Sequence, residues 1–593
     1  MHQMLAHHAS IIYAHPFAFI INRLSDGNGG ERMNDSQPSG TSTEPNRGRG
    51  TDLVVRHFRQ IVLWPIQLMP LRPGEPIQRH WKALETVTTD NPWREVEDEF
   101  CADPGEFHER HYKEFVTFLP YVQRFLYGSR AGQETSAADG EAGIRVYRRY
   151  DVRQARVTYS PRGDPTTFDI AHIDLYFFLD ADIAVVAFEM YANDISMERA
   201  QDTAFRFGRA YPAYWESNGQ GGNCPYEVAW LGRNGEVLAT SDFAAKSKYL
   251  SFVSRYRTPC LSQHWEFLLK PLALEYPGQT AVLRFRQLEY YRMPFMAFLA
   301  LDEPAQLTRA DFVRLALVTR PGDPATTPYS EATLEDFERD FCDDRFWGRS
   351  GEHFSKDTRI IATGPTLSIV GRHGDTFFSD AAIGLLGQFR HQYFLLFLIA
   401  HFHRAALLSM SDELAVAMNR LVVGNTRSVR NFKRVIRQMM EVFLRFTHRY
   451  WFHEVSNQSI ARSLFARLTR HLGNEELYDE VRHEVTDMTH YLESDSGRRQ
   501  ANTILRLTVV TIVGLIGTIA SGLLGMNIFA EAEKPVGERI AVFAITLLLT
   551  MALTIWSVVN SKRLANVLDT LSDTRIYPRE KLAAVYRSWK EDP

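Results

Sequence analysis

Residues 507–526 read LTVVTIVGLIGTIASGLLGM and residues 540–559 read IAVFAITLLLTMALTIWSVV, two uncharged runs of twenty residues near the end of a long polar chain. At about 1.5 Å rise per residue, each makes a helix of roughly 30 Å, the thickness of a bilayer's hydrocarbon core. A buried helix of a soluble protein rarely stays uncharged for that length, and two in tandem are rarer. Ile528–Arg539 alone joins them, so a hairpin is expected with both ends on one side. Arg498, Arg499 and Arg506 precede the first run, and Lys562 and Arg563 follow the second. The connection holds Lys534 and Arg539 beside Glu531, Glu533 and Glu538. The basic excess at the outer ends places both termini in the cytoplasm. The expected molecule is an α-helical integral membrane protein with two spans and a large cytosolic part ahead of them.

The chain has 593 residues and 68.1 kDa, enough for several structural units. Its 45% apolar and 23% charged residues are ordinary for a folded protein. Lys and Arg total 67 against 71 Asp and Glu, which argues against a nucleic-acid partner. Cys101, Cys224, Cys260 and Cys342 are scattered without metal-ligand spacing, so neither a disulfide framework nor a structural zinc is expected. Residues 1–52 read as a disordered N-terminal segment, polar and rich in Gly, Ser and Pro after an apolar start broken at His15-Pro16. Met33 offers an alternative start, which would make 1–32 an artefact. With no basic n-region the segment is a poor targeting signal, which favours a bacterial inner (plasma) membrane over an organelle's.

Ordered sequence begins near Leu53, where VVRHFRQIVLWPIQLMPL reads as a strand. Residues 107–127 have helical periodicity. AHIDLYFFL and IAVVAFEMY flank Asp180-Ala181-Asp182 as a β-hairpin. Asp194 or Ser196 caps a helix reaching about Phe207, ended by Gly208 and Pro212. Asn234-Gly235 suggests a second hairpin with a type I′ turn. These make a cytosolic mixed α/β domain at 53–320, with TRPGDPATTPYS (319–330) as a linker. A helical bundle and stalk follow at 321–500, then the transmembrane hairpin at 501–563 and a cytosolic tail at 564–593. FLLFLIA (394–400) is too short to span and reads as a buried face. Leu477, Val481, Val485, Met488 and Leu492 form one apolar stripe. Gly497 is the one strong breaker before the first span, so a single long helix is expected to run from the cytosolic part into the bilayer.

The first span ends in Gly525-Met526-Asn527. With this topology, the sequence resembles the CorA family of magnesium channels over 500–563, and upstream in architecture: a cytosolic α/β domain, a long stalk helix and a C-terminal two-helix hairpin. The likeness extends to Leu507-Thr508, Thr518 and Gly522. It departs at Leu524, where the family has an aromatic residue, in lacking a mid-span proline (Gly514 and Gly517 sit nearby), and in its longer cytosolic part. The resemblance implies a homopentamer in the lipid bilayer and a passive Mg2+ pathway. It implies no enzyme, no catalytic residues and no cofactor, with Mg2+ as the transported ion and as a regulatory one. The implied selectivity filter is Gly525, Met526 and Asn527.

The physics of the residues agrees. A two-helix hairpin cannot enclose water, so conduction needs several copies around an axis. Thr511, Thr518 and Gly525 lie seven apart and, with Leu507 and Gly522, define a pore-lining face. The competing reading is close packing through Gly517, Ser521 and Gly525. Magnesium keeps its waters, and a ring of Asn527 amides offers neutral oxygens to that shell. Gly525 lets the backbone approach, while Met526 serves packing. Glu531 and Glu533 form an outer acidic rim, or ordinary solvated loop charge. Glu480, Glu484 and Asp487 share a stalk face and are candidates for a cytosolic regulatory metal, or simply its wet side. Asp180 and Asp182 suit turn chemistry. A ZntB-like zinc pathway, or one for Co2+ or Ni2+, is the alternative; the absence of His and Cys from the pore segment favours magnesium. A membrane-anchored sensor or enzyme is the other, but no G-x-S-x-G, H-E-x-x-H or phosphate-binding loop is present.

Overall fold

Val54–Leu68 (β1) is the spine of a fourteen-stranded sheet. The computed structural model describes residues 53–72, 78–87, 91–96, 109–128, 143–288, 292–322, 327–348, 357–422, 425–525 and 535–559. The expected disordered segment 1–52 and tail 564–593 lie outside them. Along β1 the side chains alternate between two cores. Phe58, Val62, Trp64 and Ile66 join one face, and Ile61 and Leu63 the other. Burial on both faces explains why this strand reads as an almost continuous apolar run.

The remaining strands are β2 (Trp93–Glu95), β3 (Ile144–Arg149), β4 (Gln154–Thr158), β5 (Thr166–Phe178), β6 (Ile183–Ser196), β7 (Glu227–Leu231), β8 (Val237–Thr240), β9 (Ala273–Leu274), β10 (Arg284–Gln287), β11 (Phe295–Leu301), β12 (Cys342–Trp347), β13 (Asp357–Ala362) and β14 (Thr366–Arg372). The main order is β12-β13-β14-β11-β1-β6-β5-β4-β7-β8. β5 and β6 form the expected hairpin, with Asp180 left-handed at φ 59° in the turn. Ser196 caps the following helix, Met197–Arg206, by accepting from the Arg199 amide. The β7–β8 hairpin also forms, but among its turn residues Gly235 is left-handed and Asn234 is not. The turn is therefore not type I′, which needs two such residues.

The sheet does not close at 320, and the boundary expected there falls inside it. β14 pairs in parallel with β11, residue Phe295 opposite Thr366. A parallel pair needs a crossover, made here by the helices Arg309–Leu317 and Glu331–Phe341 and the strands β12 and β13. The Pro- and Gly-rich stretch at 319–330 is thus a loop within one domain. The expected helical bundle begins after Arg372 rather than at 321.

Four helices follow: a core helix (Phe394–Asn419), a basic helix (Thr426–Arg449), a short helix (Ser459–Leu472) and the stalk helix (Asn474–Gly525). The core helix seats FLLFLIA against the sheet, as expected of a buried face. Leu396, Phe397, Leu398 and Ile399 are fully buried, and Phe402 stacks on Phe178 at 3.9 Å between ring centres. A single π-helical turn, Phe389–Tyr393, leads into it and brings Arg390 onto Glu189 of β6 at 2.7 Å. Arg59 pairs with the same carboxylate. Burial alone would raise Glu189, but Arg59 and Arg390 hold it below the usual carboxylate range.

Candidate functional site

The stalk helix runs unbroken for 52 residues, about 78 Å at 1.5 Å per residue. Its cytosolic half is held by the stripe read from the sequence. Val481 and Val485 are buried, and Leu477, Met488 and Leu492 pack partly buried on the same core. Tyr478 stacks on Trp451 at 4.5 Å and on Phe443 of the basic helix at 5.6 Å. Gly497 does not break the helix, and no atom lies within 4 Å of where its Cβ would be.

Beyond Leu492 the helix leaves the core and meets the C-terminal helix, Val536–Val559. Gly517 lies at that contact, where a Cβ would sit 3.4 Å from the Thr550 methyl; Val509 is also buried. At about 100° per residue, Leu507, Thr511, Thr518, Gly522 and Gly525 fall within roughly 60° of one another, turned some 80–140° from Gly517. Leu507, Thr511, Thr518 and Gly522 are all exposed in the single chain. Thr511 and Thr518 donate their hydroxyls to the Leu507 and Gly514 carbonyls at 2.8 and 2.9 Å. Each proton is used inside the helix, so the oxygen faces outward as an acceptor. A third face carries exposed Ile512 and Ile516. The contact at Gly517 and the Thr–Gly face are adjacent sides of the helix, and Gly525 belongs to both series. Ser521, from the packing series, is exposed.

Gly525 is the last described residue of the helix, while Met526, Asn527, Glu531 and Glu533 lie outside the described residues. On the stalk, Glu480 and Asp487 are exposed and Glu484 is half-buried, its pKa raised by burial and by Glu480. Among the described residues no group of three or more His, Cys, Asp or Glu is arranged to hold a metal. One chain therefore does not gather Glu480, Glu484 and Asp487 into a cation site.

Sequence reasoning missed the role of Asp180. Beyond its turn, it accepts from Arg449 Nη1 at 2.5 Å and from the Tyr450 hydroxyl at 2.9 Å, tying the β5–β6 turn to the end of the basic helix. The partners lie some 270 positions away in the chain, and no local pattern announces them. Asp182 is also more than a turn residue. Burial and the Glu413 carboxylate push it up to about 7. His403 is buried, and its Nε2 lies 2.5 Å from the Tyr450 carbonyl, to which it donates.

By length and composition, two described stretches could cross a membrane: Leu385–Asn419, 78% buried in its most apolar window, and Val536–Leu553, of which none is buried. The apolar end of the stalk registers as a shorter run, Thr503–Thr518. No curated protein matches the chain. Residues 410–563, from within the core helix through the stalk to just past the C-terminal helix, match the family model described as CorA-like Mg2+ transporter protein.

Proposed function

We propose that the protein is one subunit of an oligomeric divalent-cation channel that passes Mg2+ down its electrochemical gradient. The observation that carries this reading is the continuous stalk helix, rooted in a buried core and ending in an exposed Thr–Gly face directly before Gly525-Met526-Asn527. Its apolar end and the C-terminal helix form a two-span hairpin in the plasma membrane, with both termini cytoplasmic. Copies assemble as a pentamer, so that Leu507, Thr511, Thr518 and Gly522 line the pore. Asn527 presents amide oxygens to hydrated Mg2+ at the mouth, with Glu531 and Glu533 around it. Outward-facing threonine oxygens can accept from the waters that Mg2+ retains. Moving two charges through 100 mV yields about 4.6 kcal/mol, so an inward-negative potential drives entry without ATP. Glu480, Glu484 and Asp487 sense internal Mg2+ only if neighbouring copies complete the site.

The test is Mg2+ entry into proteoliposomes holding a fluorescent magnesium indicator, under an inside-negative potential. Wild type is compared with Asn527→Ala, after both are shown to insert and assemble alike. Entry that the substitution abolishes or renders unselective is expected. Zinc or cobalt passing while Mg2+ does not would favour the ZntB-like alternative. Passage of no divalent ion by a well-assembled wild type would reduce the hairpin to an anchor.

A further inference from the structure

A cavity of about 660 Å3 opens between the helix Pro120–Tyr127, the last turn of the basic helix and the segment after it. Its described lining includes Arg124, Arg445, Arg449, His448 and His453, and no carboxylate. Asp180 stands behind this lining, 2.5 Å from Arg449 and 3.6 Å from Arg445. Glu441 pairs with Arg445 from the surface at 2.7 Å. The Glu454 carboxylate lies near Tyr121, and the Arg124 side chain has no hydrogen bond or ion pair among the described residues, so Arg124 is left as a cation of the described lining for a ligand to meet. Aromatic rings supply another wall, with Tyr121 39% exposed.

We propose that this cavity binds a nucleoside di- or triphosphate, its phosphates on Arg124, Arg445 and Arg449 and its base against Tyr121. Guanidinium forks match phosphate oxygens in pairs. An aromatic face accepts a planar base, and the volume lies within the range of small-molecule sites. A divalent cation is disfavoured by the like charge of the lining. A lipid headgroup is disfavoured by position. Trp451, which also lines the cavity, stacks on Tyr478, and Tyr478 lies 29 helical residues before Leu507, about 43 Å at 1.5 Å per residue. The same stack puts the ligand one side chain from the stalk. Binding does not depend on the ion pathway.

Equilibrium dialysis of the full-length protein in detergent, with a chelator present, tests this with ATP, tripolyphosphate and adenosine. Saturable ATP binding is expected, with tripolyphosphate weaker and adenosine undetectable. Arg124→Ala removes a cavity charge without removing a hydrogen bond or ion pair of the described residues and should weaken ATP at least about tenfold, the equivalent of one charge-assisted hydrogen bond. Arg449→Gln should weaken it similarly; because Arg449 also holds Asp180, its result counts only if circular dichroism matches wild type. No saturable ATP binding by folded wild type, or Arg124→Ala binding as wild type does, overturns the site. Tripolyphosphate binding as tightly as ATP overturns the nucleoside assignment.

Discussion

The core helix and the C-terminal helix are both apolar enough to cross a bilayer, yet their surroundings are opposite. Most of the core helix's apolar window is buried by protein, and none of the C-terminal helix's is. Phe402 is fully buried among Phe125, Phe178, Phe446 and Tyr450. Phe543 is 67% exposed, Leu549 64% and Leu548 63%. Exposed apolar side chains on this scale are a surface that water does not suit and that lipid or other copies would cover. Composition alone does not say which solvent a helix meets. The placement of charge does: the core helix carries Arg404, Asp412 and Glu413 within its length, whereas the C-terminal helix has no charge after Arg539.

The contrast is broken most directly by paired truncations. Phe402→Ala should destabilise the detergent-solubilised protein by about 3–5 kcal/mol, through lost burial and the cavity left behind. Phe543→Ala should stay within about 0.5 kcal/mol. Denaturant unfolding followed by tryptophan fluorescence measures both. Equal losses would mean that the C-terminal helix is packed by protein as tightly as the core.

Acid sharpens the contrast because the core holds titratable groups and the apolar face does not. Burial lowers His403 to about 3, against 6.5 in the unfolded chain. A depressed folded pKa gives stability that is complete above 6.5 and is lost as pH falls from there toward 3. The unfolded chain takes up a proton in that window and the folded one does not. The slope is at most about 1.4 kcal/mol per pH unit. Asp182, raised to about 7, acts oppositely, its contribution falling as pH rises from about 4 to 7. Comparing wild type with His403→Gln isolates the histidine: between pH 6.5 and 5 the stability slope should differ by about one proton. An unchanged slope would mean that His403 titrates normally in the fold.

The amount legible in the sequence differed between the two regions for a physical reason. The stalk stripe Leu477, Val481, Val485, Met488 and Leu492 and the β5–β6 hairpin are local, and periodicity reports local structure well. The strands β12–β14 escaped because β14 joins β11 across a crossover, and no short-range pattern encodes such a pairing. The Pro- and Gly-rich loop before β12 then looked like a domain boundary. In the candidate site, the spacing of Thr511 and Thr518 located one exposed helix face. It did not show that their hydroxyls are turned back onto the helix, leaving oxygens outward. Asp180 with Arg449, and Arg124 with Arg445, come together only in the folded chain.

A smaller effect separates the faces within the apolar end. Thr518→Val keeps the shape and removes the outward oxygen. About 1 kcal/mol of hydrogen bonding to a bridging water is at stake per subunit. Mg2+ entry in the proteoliposome assay should fall several-fold, while Ile512→Val on the third face should leave it unchanged. Equal effects would detach the Thr–Gly face from the pathway.

The smallest expected effect tests the segment joining the two regions. Between Leu492, the last stalk residue on the cytosolic core, and Val509, the next buried one, the described stalk residues are exposed or half-exposed, with Ile504 at 63%. Gly497 lies in this unsupported stretch with open space around its Cβ. Glycine in an exposed helix interior costs about 0.8–1 kcal/mol relative to alanine. Gly497→Ala should therefore slow backbone hydrogen exchange over 493–503 by up to about fivefold, as local opening becomes less favourable. The core's unfolding should not move, because the substitution touches none of its contacts. Slower exchange would show that the joint is held by the helix's own propensity, leaving the glycine as a built-in soft point between core and hairpin. Unchanged exchange would mean that neighbouring copies already clamp the joint, so that the stalk is stiff only in the assembly.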